Sequence, residues 1–276
     1  MVGKMQRLSA DRVMTLMYHR LLPFEIGEPG AGSTVGKPAG NDPYSLPKGV
    51  FATHVQAITA SGSITPRSWD DLGRPCDAAQ VWITFDDGHQ SDLDAALPIL
   101  KQSGLCGMFF ITTDWIGRGG YMSEQGLRRL TNEGMLVGAH GRSHRYLSSL
   151  DENGVREELL LSKARLEDVL GCEVPAMALP GGRNHPSVRR LARELGYRFV
   201  FTSRIAVGHI ADDPLELPRI PITRGLPSSF VAELLAGDER LLRRMARSAS
   251  FRELARHLLG DAAYVRLRRL LLSDGV

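Results

Sequence analysis

The 276-residue sequence predicts a parallel α/β architecture, either a barrel or an open sheet. Three observations predict it. Short apolar β-type runs alternate with segments of helical spacing through most of the chain. Several helical segments close on a glycine, at Gly104, Gly134 and Gly196. The polar residues that stand out, His19, Asp86-Asp87 and His140, fall at the ends of apolar runs. Folds of this class gather their active-site residues at those strand ends.

The elements follow in order. Val13–His19 (VMTLMYH) reads as a buried strand whose end presents Tyr18 and His19. Leu22 to Gly49 is rich in Gly, Pro and Ser and reads as a long loop. Phe51–Ala60 has helical spacing. Val81–Phe85 (VWITF) is a continuous apolar run bounded by Asp86-Asp87-Gly88, as expected for a central parallel strand. A helix over Ser91–Ser103, a strand over Cys106–Thr112 and a helix over Ser123–Glu133 with Ser123 as N-cap come next. Leu136–His140 is a strand, Asp151–Leu170 a long helix and Pro175–Leu179 a strand. Pro186–Leu195 is a helix, and Phe199–Thr202 closes the series as a strand.

Composition sets bounds. A net charge of +3 gives no footprint for nucleic acid. Cys76, Cys106 and Cys172 are far apart, so neither a disulfide framework nor a thiolate zinc site is expected. No run approaches the ~20 apolar residues of a membrane span. The N-terminal apolar stretch is broken by Arg7, Asp11 and Arg12, unlike a signal peptide, so a cytoplasmic location is the expectation.

His140-Gly-Arg-Ser-His144 places two imidazoles four residues apart, a spacing that on a helical turn would let both hold one metal ion. Asp86-Asp87-Gly88 adds carboxylates at another strand end, though Asp-Gly is also turn chemistry. Together they read as a His, His, Asp metal site with an open position and a second aspartate beside it. Such a site suits hydrolysis: a divalent ion acidifies bound water and polarises a carbonyl, and a carboxylate accepts the proton.

TFDDG (Thr84–Gly88), HGRSH (His140–His144) and ALPGG (Ala178–Gly182) resemble, in order and spacing, the motifs of the polysaccharide deacetylase family. This is the NodB-homology group, carbohydrate esterase family 4, and the resemblance spans roughly residues 13 to 224. It implies a distorted (β/α)7-type barrel over residues 1–225, while the leucine- and arginine-rich sequence over 226–276 reads by itself as a basic helical C-terminal appendage. It implies hydrolysis of the acetamido group of an N-acetylated sugar or polysaccharide. Asp86 is then the base, and Asp87, His140 and His144 hold zinc, with cobalt or nickel as alternatives.

Two departures stand out. The arginine that commonly orients the base in the third motif is replaced by Ala178, and Arg183 is the nearby candidate to compensate. The usual terminal histidine is absent from Arg219–Gly225 (RIPITRG). The N-terminal LMYHRL instead resembles a subgroup with a Tyr-His at the end of the first strand. His19 is therefore the candidate general acid, against a purely structural strand-end role.

Tyr18, Tyr121, Pro180, Gly181, Gly182 and Arg183 are the candidate substrate contacts. The backbone N–H of Tyr121 or Gly181 is a candidate oxyanion donor. His89 reads as a rim residue, and His54 and His185 carry no assignment. Competing readings are a deacylase of another amide or formyl-sugar, and a carbohydrate-binding relic without activity. The tail interleaves leucines with Arg243, Arg244, Arg247, Arg252, Arg256, Arg266, Arg268 and Arg269. Its alternatives are a packed helix with a solvated basic face and a peripheral contact with the inner membrane.

Overall fold

The computed structural model describes residues 9–23, 42–182 and 184–259. The chain divides into two compact units, Met1–Asp238 and Glu239–Val276. Within the first, the strands are β1 (Arg12–Tyr18), β2 (Leu21–Leu22), β3 (Leu46–Pro47), β4 (Gln80–Phe85) and β5 (Gly107–Ile111). They continue as β6 (Leu136–Ala139), β7 (Ala176–Ala178), β8 (Phe199–Phe201), β9 (Gly208–His209) and β10 (Ile220–Pro221). The helices are α1 (Lys48–Ser61), α2 (Leu97–Gln102), α3 (Glu124–Asn132), α4 (Glu152–Leu170), α5 (Val188–Glu194) and α6 (Phe230–Leu235).

The main sheet runs β10-β1-β4-β5-β6-β7-β8, with every neighbour parallel, and β9 adds antiparallel to β1. The segment before β10 nearly closes it. Leu217 N–H donates to the Val200 carbonyl and Thr202 N–H to the Leu217 carbonyl, while Ile220 pairs with Leu16 of β1. One short stretch therefore touches both sheet edges, and the fold is a distorted seven-stranded barrel.

Period-two alternation sorts the strands into two faces. Val13, Trp82, Met108, Phe110, Ala176, Ala178, Phe201 and Leu217 pack together as an inner cluster. Tyr18, Phe85 and Phe109 point the other way, and Tyr18 and Phe85 meet Phe51 of α1. That alternation continues past the strand ends. Asp86 follows Trp82 and Thr84 on the inner side, and Arg219 follows Leu217.

Local chemistry accounts for the helix ends. Ser123 Oγ caps α3 by accepting from Gly126 N–H at 3.2 Å, and an Asp151 carboxylate oxygen caps α4 through Gly154 N–H at 2.8 Å. The helix expected over Ser91–Ser103 begins instead as a π-helical turn, Asp92–Ala96, and becomes α-helical only at Leu97. Pro98 has no N–H to offer Asp94, so a regular α-ladder cannot run through this point. The loop expected from Leu22 to Gly49 contains a small parallel pair, Leu21 with Leu46 and Leu22 with Pro47, and α1 starts at Lys48.

The first compact unit extends to Asp238, so α6, with Phe230, Val231 and Leu234 buried, goes with the barrel rather than with a tail beginning at 226. The second unit contains α7 (Arg240–Leu259), on which Arg243, Arg244 and Arg247 are exposed. Arg266, Arg268 and Arg269 lie outside the described residues. Among the described residues, no helix is long and apolar enough to cross a membrane.

Candidate active site

Asp86, Asp87 and His140 lie directly beyond the C-terminal ends of β4 and β6. Asp86 is 2% exposed and accepts two hydrogen bonds from Arg219, at 2.6 Å to one oxygen and 2.8 Å to the other. Arg219 is 0% exposed; its Nε donates to the Thr202 carbonyl at 3.0 Å, and its guanidinium lies 5.8 Å from the Phe110 ring centre. Burial by itself would raise the Asp86 pKa. Arg219, joined by His140 and His19, outweighs that and holds the carboxyl below its ordinary range.

The sequence reading missed Arg219. It sought the arginine near Ala178, and Arg183, its substitute, lies outside the described residues. Arg219 instead arrives from the far end of the barrel. The available signal was a lone arginine two residues beyond Leu217, facing inward on a β-type stretch.

Asp87, His140 and His144 converge as expected, with one ligand atom from each all within 4.8 Å of one another. Asp87 Oδ1 lies 3.6 Å from His140 Nε2 and 3.3 Å from His144 Nε2, yet this buried oxygen accepts no hydrogen bond. His140 Nδ1 bonds the Ala178 carbonyl at 3.0 Å, which fixes the proton there and turns an unprotonated Nε2 toward Asp87. One carboxylate oxygen and two imidazole nitrogens facing a common point fit a divalent ion such as zinc. Burial opposes ionisation of Asp87, but His144, His89 and His140 around it carry its pKa well below the usual range.

The two histidines do not share a helical face. His140–His144 is a loop, with Gly141 at φ 73° and His144 at φ 62°. Asp87 is also left-handed, at φ 80°. Two non-glycine residues in this costly region, both in the candidate ligand set, mark a strained, functional loop pair. Glu158 of α4 holds the histidine loop. Its carboxylate accepts from Arg142 N–H at 2.8 Å, Ser143 N–H at 2.9 Å and the Ser143 hydroxyl. Glu158 was also missed, since nothing in its helix distinguishes it from its acidic neighbours.

His19 stands at the end of β1 near Asp86 and Asp87, whose charges act on it. Burial lowers its pKa more than those carboxylates raise it, and its buried Nδ1 has no hydrogen-bond partner among the described residues. The Tyr44 ring covers it, with centroids 4.4 Å apart. Tyr18 is not a substrate contact. Strand alternation places it on the outer face, 1% exposed, with its hydroxyl 3.0 Å from His54 Nδ1.

Tyr121 is half-buried, stacked on His89 at 4.8 Å and adjoining Trp115 at 4.8 Å. Its backbone N–H is already donated to the Arg118 carbonyl at 3.0 Å and is not an oxyanion donor. Pro180–Gly182 forms a tight turn. Pro180 is buried, and a side chain on Gly182 would collide with Ser203, so these two serve packing rather than a sugar surface. Gly181, at φ 60°, lies under the Tyr146 ring, where no Cβ would fit.

Asp92 adds an unforeseen feature. It is 0% exposed, both carboxylate oxygens lack a hydrogen-bond partner among the described residues, and its pKa stands well above normal. Burial is the main cause, reinforced by the charges of Asp87 and Asp86.

A parallel barrel thus carries, at its strand ends, a buried Asp–Arg pair beside an Asp, His, His cluster that could hold a metal ion. Residues 73–200 match the family model described as polysaccharide deacetylase. A putative polysaccharide deacetylase of Bacillus subtilis, YxkH, is 23% identical over 190 residues, covering 67% of this chain and 68% of YxkH. A peptidoglycan-N-acetylglucosamine deacetylase of Bacillus cereus is 27% identical over 145 residues, covering 50% of this chain and 51% of its own length. The chain therefore spans about half of that relative. Among solved structures, the deacetylase PplD of Streptococcus pyogenes, in complex with acetate, superposes with a TM-score of 0.70 at 21% identity, covering 81% of this chain and 98% of PplD. IcaB of Ammonifex degensii gives 0.68 at 24% identity, covering 84% and 100%. These two likenesses are of fold.

Proposed function

We propose that this protein is a metal-dependent N-deacetylase of an N-acetylated saccharide. The observation that carries the reading is the pairing of Asp86 with Arg219 directly beside the convergence of Asp87, His140 and His144. Asp87 and the Nε2 atoms of His140 and His144 would hold the ion. A bound divalent ion would acidify a water and polarise the acetyl carbonyl.

Asp86 takes the proton from the attacking water as the water oxygen bonds to the amide carbon. Arg219 keeps Asp86 ionised and fixes its plane through the two-pronged contact. His19, once protonated, gives that proton to the sugar nitrogen as the C–N bond breaks, releasing acetate and a free amine, and the proton taken up by Asp86 replaces it. Tyr44 shields that imidazole from solvent. Trp115 and Tyr121 supply an apolar wall for the acetyl and sugar rings.

The relatives' names favour a glycan substrate, and Tyr146, 42% exposed two residues beyond His144, gives such a chain an aromatic surface to rest on. The test is acetate release from N-acetylglucosamine oligomers by the zinc-loaded protein. Asp86→Asn should reduce it by roughly 10²–10⁴-fold while zinc stays bound. Unchanged release by that variant would remove Asp86 as the base. Binding of oligomers without any release by the wild-type protein would favour the non-catalytic reading.

A further inference from the structure

The two oxygens of Asp87 keep different company. Oδ1 faces His140 and His144, whereas Oδ2 lies 3.5 Å from His89 Nε2. The His89 side chain is 17% exposed, and its ring stacks on Tyr121 with planes 20° apart. The backbone is tied there as well. His89 and Tyr121 form an antiparallel bridge, Gln90 N–H donates to the Gly120 carbonyl at 2.9 Å and Met122 N–H to the Gly88 carbonyl at 3.0 Å. Trp115 extends the row, 4.8 Å from Tyr121 on one side and stacked on His144 at 4.9 Å on the other. Four rings thus run in an arc from behind Asp87 round to His144.

We infer that His89 is a positioning residue of the metal centre. It donates Nε2–H to Asp87 Oδ2 and reserves Oδ1 for the ion. The stack on Tyr121, backed by Trp115, seats the His89 ring so that Nε2 faces Oδ2. This deepens the metal-dependent reading above and rests on it. A free carboxylate turns about its last torsion and can present either oxygen or both. Asp87 also sits on strained backbone, so its side chain needs an outside constraint. A donor on one oxygen supplies it, as second partners commonly do for metal-binding carboxylates. The 3.5 Å separation is at the outer edge of hydrogen bonding. The effect is therefore mainly orientational, at the low end of the usual range.

Two variants separate the donor from the stack. His89→Phe keeps a ring against Tyr121 and removes the N–H. His89→Gln keeps a donor and loses the ring. The readouts are the zinc dissociation constant, from titration against a competing chelator, and the visible spectrum of the cobalt-loaded protein. His89→Phe should bind zinc about tenfold more weakly and shift the cobalt bands. His89→Gln should recover most of the affinity. Wild-type affinity and spectrum in His89→Phe would overturn the inference, as would equal loss in both variants. A wild-type protein that binds neither ion would overturn the metal reading itself, a distinguishable failure.

Discussion

Asp86 and Arg219 meet through two hydrogen bonds, 2.6 and 2.8 Å, with both side chains withdrawn from solvent. Breaking such a pair from one side leaves an uncompensated buried charge, at a cost of about 3–5 kcal/mol. Arg219→Met should therefore lower the urea midpoint strongly, and the double variant Asp86→Asn/Arg219→Met should recover much of the loss. Both should be nearly inactive in acetate release. Arg219→Lys restores charge without the planar fork, so its stability should recover more than its rate. Full activity in Arg219→Met would contradict the role given to the pair.

Glu158 gathers two backbone N–H groups and one hydroxyl of the loop between the candidate histidine ligands. Glu158→Ala leaves those donors unpaired, costing on the order of 1–3 kcal/mol. Zinc affinity should fall about tenfold or more because His140 and His144 lose their fixed spacing. Glu158→Gln, which keeps one acceptor, should fall between the two. Calorimetric titration with zinc checks the order.

Asp92 has its pKa raised by burial, then by Asp87 and Asp86. The folded state therefore holds a proton that the unfolded chain releases near pH 4. The folded state's advantage at this residue is full below that pH and is lost as pH rises toward the folded pKa. Asp92→Asn has nearly the same shape and never ionises. It should match the wild type at about pH 3, below the unfolded pKa, and gain on it as the pH rises to about 8. Urea unfolding at both pH values reads this. A wild-type advantage at pH 8 would contradict it.

Chelation should silence acetate release and lower the melting temperature, because an ion bound only by the folded state adds stability through mass action. Zinc at about 100 times its dissociation constant should return roughly 2.7 kcal/mol. Asp87→Ala should lose both the activity and the zinc-dependent rise in melting temperature. Retention of that rise would place the ion elsewhere.

Much of the fold was legible because its signals are local. The apolar run before Asp86, the N-caps at Ser123 and Asp151 and the glycine stops each act over a few residues. The residues converging on Oδ1 of Asp87 were legible for a related reason: two short motifs at strand ends leave few places for their side chains. Tyr18 was misassigned because adjacency to His19 was taken for a shared face, whereas strand alternation turns neighbours to opposite sides. The helical geometry expected for His140–His144 failed because Gly141 and His144 adopt left-handed backbone that spacing alone does not reveal.

The sequence by itself determined the alternating strands and helices, the strand-end placement of Asp86, Asp87 and His140, and the motifs that resemble the deacetylase family. Tertiary structure alone decided what surrounds them. Arg219 lies 133 positions from Asp86, Glu158 reaches the histidine loop from α4, and His89 is pinned by Tyr121. Each of these contacts depends on closure of the barrel or on the docking of loops and helices around it. Such long-range contacts follow from how whole strands and helices pack, and no short window of sequence encodes them.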